Sequence, residues 1–388
     1  MKEFFVSGWR NFKKSSLITK IFTFLGVGLY LFVLSISFIK VDYEVITPGS
    51  INYTASSVKV EANNEAGFIY TVGVYTHTRI SVIQYWLAKT NDFFDLEVYD
   101  PTVDLNDKAQ RKFGTISKEI SINNAIINAY QEAAKIDPSI VLSKEYKGVI
   151  VSAIAPYAKT GLDYSDVVIK VNDQSFTNIN EFRNLVTNFY DSEPDKEIKF
   201  TIIRDELQKE VYASFINVNS GYIGLGVSFY DYYQLDPEKS TPKFSIVDPY
   251  SSIGSSGGGM LSLSIYNSLL PGDITKGKKI VGTGTIELDG SIGNIAGVKQ
   301  KIITANNYNI DIFFINEINY DLGTLRVTNQ SIINSGVPVN IAFENNQAFA
   351  LQQKSFLGVR LDYIANKKLT LGATIVRLGT ILFGERIK

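Results

Sequence analysis

Cysteine is absent from the 388-residue chain, which excludes disulfides, thiolate nucleophiles and thiolate metal sites. Histidine is almost absent. His77 stands alone in Tyr75-Thr76-His77-Thr78, among neighbours that alternate as on an exposed strand. A histidine-based metal centre would need several carboxylates to converge on it, and a Ser-His-Asp triad could run only through it. No metal ligand and no cofactor site is assigned. An excess of charge is missing as well: 39 acidic and 38 basic residues leave a net charge of -1. The basic stripe by which nucleic-acid binders neutralise phosphates is therefore not present. A hydrolase of this composition needs a base other than histidine.

The length predicts two or three domains. Residues 21–39 form 19 consecutive positions without a charge, close to the ~20 that span a bilayer as a helix. Lys2, Arg10, Lys13, Lys14 and Lys20 precede this run, and Lys40, Asp42 and Glu44 follow it. The positive-inside rule places residues 1–20 in the cytoplasm and everything after residue 40 outside. The run is longer than the apolar core of a signal peptide and no Ala-x-Ala-like site follows, so a single-pass signal anchor is expected. At the other end residues 369–384 are apolar but carry Arg377 in their middle. A mid-bilayer arginine disfavours a second span, and residues 351–388 are read as an apolar, amphipathic tail.

Between the ends, residues 40–120 read as a β-rich juxtamembrane region, with Pro48-Gly49 as a turn. Residues 122–134 carry an apolar helical face. Residues 148–215 then alternate strands with one helix at about 178–190. Their runs at 149–154 and 162–173, with Ala158, resemble a PDZ domain of the kind found in bacterial proteases. Ser165 and Asp173 stand where that pattern has glycines. The resemblance implies a domain, 121–217 with its leading helix, that adds an extended peptide to a sheet edge.

Residues 250–259 form a small-residue loop that runs into an apolar helix ended by Pro271-Gly272. A serine there has two advantages: glycines admit substrate backbone closely, and amides at a helix start stabilise an oxyanion. A strand is expected at 278–286, a turn at Asp289-Gly290 and a second helix from Gly297. Residues 272–279 nearly spell a phosphate-binding loop, but they end in Lys279 and run from helix to strand, the reverse of the context that ATP binding requires.

This arrangement resembles the proteolytic domain of Lon proteases, in particular the ATP-independent, membrane-anchored Lon-like proteases that carry a PDZ domain. Gly254-Ser255-Ser256-Gly257-Gly258 falls on their Gly-Pro-Ser-Ala-Gly motif, and residues 296–301 fall on Gly-Gly-Ile-Lys-Gln-Lys. The resemblance extends over about residues 15–350. It implies a Ser-Lys dyad of Ser256 and Lys299, 43 residues apart, with Thr283 orienting the lysine and Gly254, Gly257 and Gly258 shaping the loop. Ser255 and Gly257 depart from the motif, and the adjacent serine leaves Ser255 as the other candidate nucleophile. Lys299 works as a base only if burial keeps its amine neutral.

The expected fold is α+β and multidomain, with the Lon-type domain over 218–350. The expected function is an extracytoplasmic serine endopeptidase acting on polypeptides, without ATP or other cofactor and without nucleic acid. The alternative is an inactive Lon-like and PDZ scaffold that binds peptides at the membrane. The resemblance also implies a homo-oligomer, although no stretch of the sequence marks an interface.

Overall fold

The computed structural model describes residues 12–61, 67–219, 222–247, 253–293, 295–316, 357–366, 369–377 and 381–386. Lys2 and Arg10 of the basic tail, Ser251 and Ser252 of the serine loop, and residues 317–350 of the expected proteolytic domain lie outside these. The elements begin with α1 (Leu17–Phe38), β1 (Tyr43–Tyr53), β2 (Val58–Val60), β3 (Ile69–His77), α2 (Val82–Lys89), β4 (Asp95–Val98) and α3 (Asp107–Ala134). There follow β5 (Lys144–Ile154), β6 (Val167–Val171), β7 (Gln174–Ser175), α4 (Ile179–Ser192), β8 (Ile198–Arg204), β9 (Leu207–Ala213), β10 (Ile216–Asn219), β11 (Tyr222–Gly224) and β12 (Val227–Leu235). The last are β13 (Phe244–Ile246), α5 (Gly258–Leu269), β14 (Ile280–Gly282), β15 (Thr285–Ile286), β16 (Ile292–Gly293), α6 (Val298–Asn306), β17 (Ile312–Asn316), β18 (Leu357–Asn366), β19 (Leu369–Arg377) and β20 (Ile381–Arg386).

The chain divides into two compact units, Met1–Thr47 with Thr76–Asp100, and Pro48–Tyr75 with Pro101–Lys388. In the first, α1 is uncharged from Ile21 to its end and none of its residues is buried by protein, so it is long and apolar enough to cross a membrane. The start of β1 pairs with β4 from Tyr43↔Val98 to Ile46↔Asp95. Helix α2 opens on a capping box in which Ser81 and Gln84 satisfy each other's backbone amides. Its inner face packs Tyr85 and Ala88 on Val45, Ile80, Phe94 and Leu96.

The second unit holds two main sheets. One has the order β20-β19-β18-β17-β14-β3-β1, with the buried β14 parallel to both β3 and β17, as a strand covered on both faces should be. Pro48-Gly49 is not a turn but lies inside β1. A Cβ on Gly49 would come within 2.4 Å of the Gly73 carbonyl, so glycine here permits two backbones to touch rather than a bend. The expected amphipathic tail is likewise strand: Thr370, Ile375 and Val376 favour extended backbone, and Gly372 and Gly384 weaken a helix. The other sheet has the order β12-β5-β6-β8-β9, antiparallel throughout. It packs Phe182 of α4 over Val149, Val151, Val168, Ile198 and Phe200. This sheet takes its edge strand β12 from beyond the expected boundary at residue 217.

Ser165 and Asp173, the two departures from glycine, do take glycine-like backbone, at φ 69° and φ 65°. Asp173 is compensated by two 2.8 Å contacts to the Lys199 amine, whereas Ser165 is not. A left-handed serine costs about 1 kcal/mol, partly offset by the larger unfolded entropy of glycine. Ser165→Gly is therefore expected to raise thermal stability by about 0.5 kcal/mol, read as a small increase in Tm, and Asp173→Gly to give none.

Candidate active site

The serine loop is fixed at each residue by a neighbour in the second unit. Gly254 takes φ 91°, open only to glycine at low cost, and its amide donates to the Gly114 carbonyl of α3 at 2.8 Å. The Ser255 carbonyl accepts the Ser121 hydroxyl of α3 at 3.0 Å and the Gly258 amide at 3.0 Å. The Ser256 carbonyl accepts the Gly284 amide at 2.7 Å and the Thr283 hydroxyl at 3.0 Å. Among the described residues, the amides of Ser256 and Gly257 donate to no partner. Both sit at the positive end of α5, whose N-cap is Gly257, where developing negative charge is stabilised.

The glycines around the serine are explained by contact. A Cβ on Gly257 would stand 2.7 Å from Thr71 Oγ1, so a side chain here would displace the threonine. A Cβ on Gly258 would meet Ser121 Oγ at 2.4 Å and Ile286 Cγ2 at 2.7 Å.

The lysine whose amine meets Thr283 is Lys301, two residues on from Lys299, the one the resemblance implies. Gly297 adopts the left-handed conformation, φ 66°, and starts α6. The phase so set turns Val298, Lys301, Thr304 and Ala305 inward. Lys299, two residues earlier and so about 200° away around the helix, is only half-buried. Lys301 is 2% exposed. Its Nζ donates to Thr283 Oγ1 at 3.1 Å, and Thr283 in turn holds the Ser256 carbonyl. Burial lowers the Lys301 amine to about 7, because the charged form loses its water. Thr283 thus stands between the Lys301 amine and the Ser256 carbonyl.

Sequence reasoning placed the second half of α3, residues 122–134, but missed the polar face by which the helix meets the serine loop. Ser117, Ser121, Asn124 and Asn128 are all buried and recur at helical spacing, a polar stripe on a core face. Asn124 and Asn128 donate to the Ile286 and Glu287 carbonyls at 3.0 and 2.8 Å. They hold the β15 strand that follows Thr283. On another side of α3, Asn123 donates to the Tyr233 carbonyl at 3.1 Å and Glu119 accepts the Tyr232 hydroxyl at 3.1 Å. One helix therefore contacts both the serine loop and β12.

Strand β12 is the edge of its sheet, with α4 packed beside it. Val227 and Phe229 face the core, while Ser228 and Tyr230 are exposed. An extended chain can add to such an edge through backbone hydrogen bonds, with alternate side chains read by the helix and sheet on either side.

No curated protein matches the chain. A family model, the PDZ domain, matches residues 139–214, which span β5 to β9 and α4. The second unit of this chain therefore contains a PDZ domain, a peptide-binding module, over residues 139–214.

Proposed function

We propose that this chain is a membrane-anchored, ATP-independent serine endopeptidase, with Ser256 as nucleophile, Lys301 in place of Lys299 as general base, and the PDZ domain selecting polypeptide substrates. The observation that carries the reading is the buried Lys301 amine, lowered to about 7 and joined through Thr283 to the Ser256 backbone. A surface lysine would be protonated at neutral pH and useless as a base; this one is neutral in a large fraction of molecules.

In this mechanism Ser256 Oγ attacks the scissile carbonyl and its proton passes to neutral Lys301 Nζ. The oxyanion is received by the Ser256 and Gly257 amides. The lysine then returns the proton to the leaving amine, and water releases the acyl group by the same exchange. Thr283 holds the amine in place throughout. Helix α1, 22 residues long and so about 33 Å, anchors the chain, and its packing against α2 ties it to folded protein.

The test uses full-length protein in detergent with unfolded casein and a fluorophosphonate probe. Ser256→Ala should abolish both cleavage and labelling, whereas Ser255→Ala and Lys299→Ala should keep most of both. Labelling that survives Ser256→Ala but not Ser255→Ala moves the nucleophile by one residue. Wild-type protein that neither cleaves nor labels would instead be a peptide-binding scaffold.

A further inference from the structure

Within the first unit, α2 presents an apolar face that takes no part in its core. Trp86 is 52% exposed and Leu87 62%, while Tyr85 and Ala88 of the same helix point into the core. Phe93, 57% exposed, follows in the loop after the helix. Three exposed large apolar groups so close in sequence are unusual on a surface meant only for water.

The place of α2 says what covers this face. Val82, its first residue, donates its amide to the Ile39 carbonyl at 3.0 Å, and the Val41 amide donates to the Ile80 carbonyl at 2.9 Å. Lys40 and Ser81 form a bridge between the two segments. Helix α2 thus starts one hydrogen bond from the point where α1 ends. If α1 spans a bilayer, that point is the membrane surface, and α2 begins there. Tryptophan is the side chain that settles at this depth, its ring in the acyl boundary and its N–H among headgroups. Lys40 and Lys89, both exposed, supply cations at the same level for lipid phosphates.

We propose that α2 lies along the outer surface of the bilayer with Trp86 and Leu87 inserted at the headgroup–acyl boundary. Together with α1 it forms a two-point mount that fixes the first unit against the lipid. This rests on the reading of α1 as a retained membrane span, and the experiment separates the two.

The chain has two tryptophans, Trp9 and Trp86, so Trp9→Phe leaves Trp86 as the only one. The full-length variant is reconstituted into phosphatidylcholine vesicles whose acyl chains carry bromine near the headgroup or near the bilayer centre. Trp86 emission should shift to the blue relative to detergent-free water-exposed tryptophan, and shallow bromines should quench it more than deep ones. A companion, Leu29→Trp with both native tryptophans replaced by Phe, reports on α1 and should be quenched best by deep bromines. If the Leu29→Trp protein behaves so while Trp86 is not quenched by either lipid, the surface proposal falls and the span stands. If neither reporter is quenched, both fall together. A blue-shifted but unquenched Trp86 means protein covers the face, and this also overturns the proposal.

Discussion

Lys301→Met is expected to remove hydrolysis and at the same time to stabilise the protein at neutral pH. The loss of activity should be at least about 10³-fold, since a serine hydroxyl without its base is a poor nucleophile. The gain in stability comes from the same burial. In the unfolded chain the amine titrates near its ordinary 10.5, and in the folded protein near 7. Between those values the unfolded state binds more protons, so wild-type stability rises with pH across that window and is lowest below about 7. The slope should reach about 1.4 kcal/mol per pH unit at most. A methionine of similar volume has no charge to desolvate, and the variant should be about 1–3 kcal/mol more stable at pH 7 with that slope gone. Urea titrations at pH 6, 7, 8 and 9 on both proteins measure this. A variant less stable than wild type at pH 6 would mean that the amine is solvated rather than buried. Wild-type activity, in turn, should climb as pH passes through about 7, while Lys299→Ala leaves that profile in place.

Arg204→Met should cause the largest loss of stability outside the site. Asp166 is 1% exposed in its side chain, and Arg204 grips it with two bonds, Nε to Oδ1 at 2.7 Å and Nη2 to Oδ2 at 2.6 Å. A second donor, the Asp163 amide, reaches Oδ2 at 2.7 Å. Removing the guanidinium leaves a carboxylate in the interior with one partner, at a cost of about 3–5 kcal/mol. The double variant Asp166→Asn, Arg204→Met should recover about half of this, because the neutral amide still accepts from Asp163 and no charge is stranded. Hydrogen exchange over residues 144–235 localises the effect: protection should collapse there and be retained in α1 and α2. Equal instability of the single and double variants would assign the cost to lost packing of the arginine stem.

How much of this was legible beforehand varied with the range of the contacts involved. The apolar run at 21–39 announced α1 because a long apolar helix is decided by local composition. The order of strands and one helix at 148–215 announced the PDZ domain, and even its two missing glycines marked the turns where φ is positive. The Gly-rich entry to α5 was equally local. By contrast, both lysines of the segment 299–301 fit the same motif, and only the phase of α6 separates them. That phase follows from Gly297 and from the apolar positions 298 and 305, which put 301 on the same face; a count by helical turns, rather than by distance from Ser256, points to the buried amine. Pro48-Gly49 misled because a close backbone approach leaves the same signature as a turn. The polar stripe of α3 could have been read from its spacing, but its partners lie more than 100 residues away, and no local pattern names them.

That β12 follows the matched PDZ residues has a practical side. A fragment cut at Ser214 would keep β5 and lose the strand that pairs with it from Lys144 to Ile154. A strand buried from Gly148 to Ser152 would become an open edge, the feature by which sheets stick to one another. Such a piece is expected to aggregate or to bind peptides indiscriminately, and its behaviour would say little about the intact protein. Extending the cut to Leu235 restores the edge, yet the Tyr233 carbonyl then still lacks Asn123, so the smallest faithful piece begins with α3. The module that takes hold of a chain and the helix that steadies the serine loop are in this protein a single length of polypeptide.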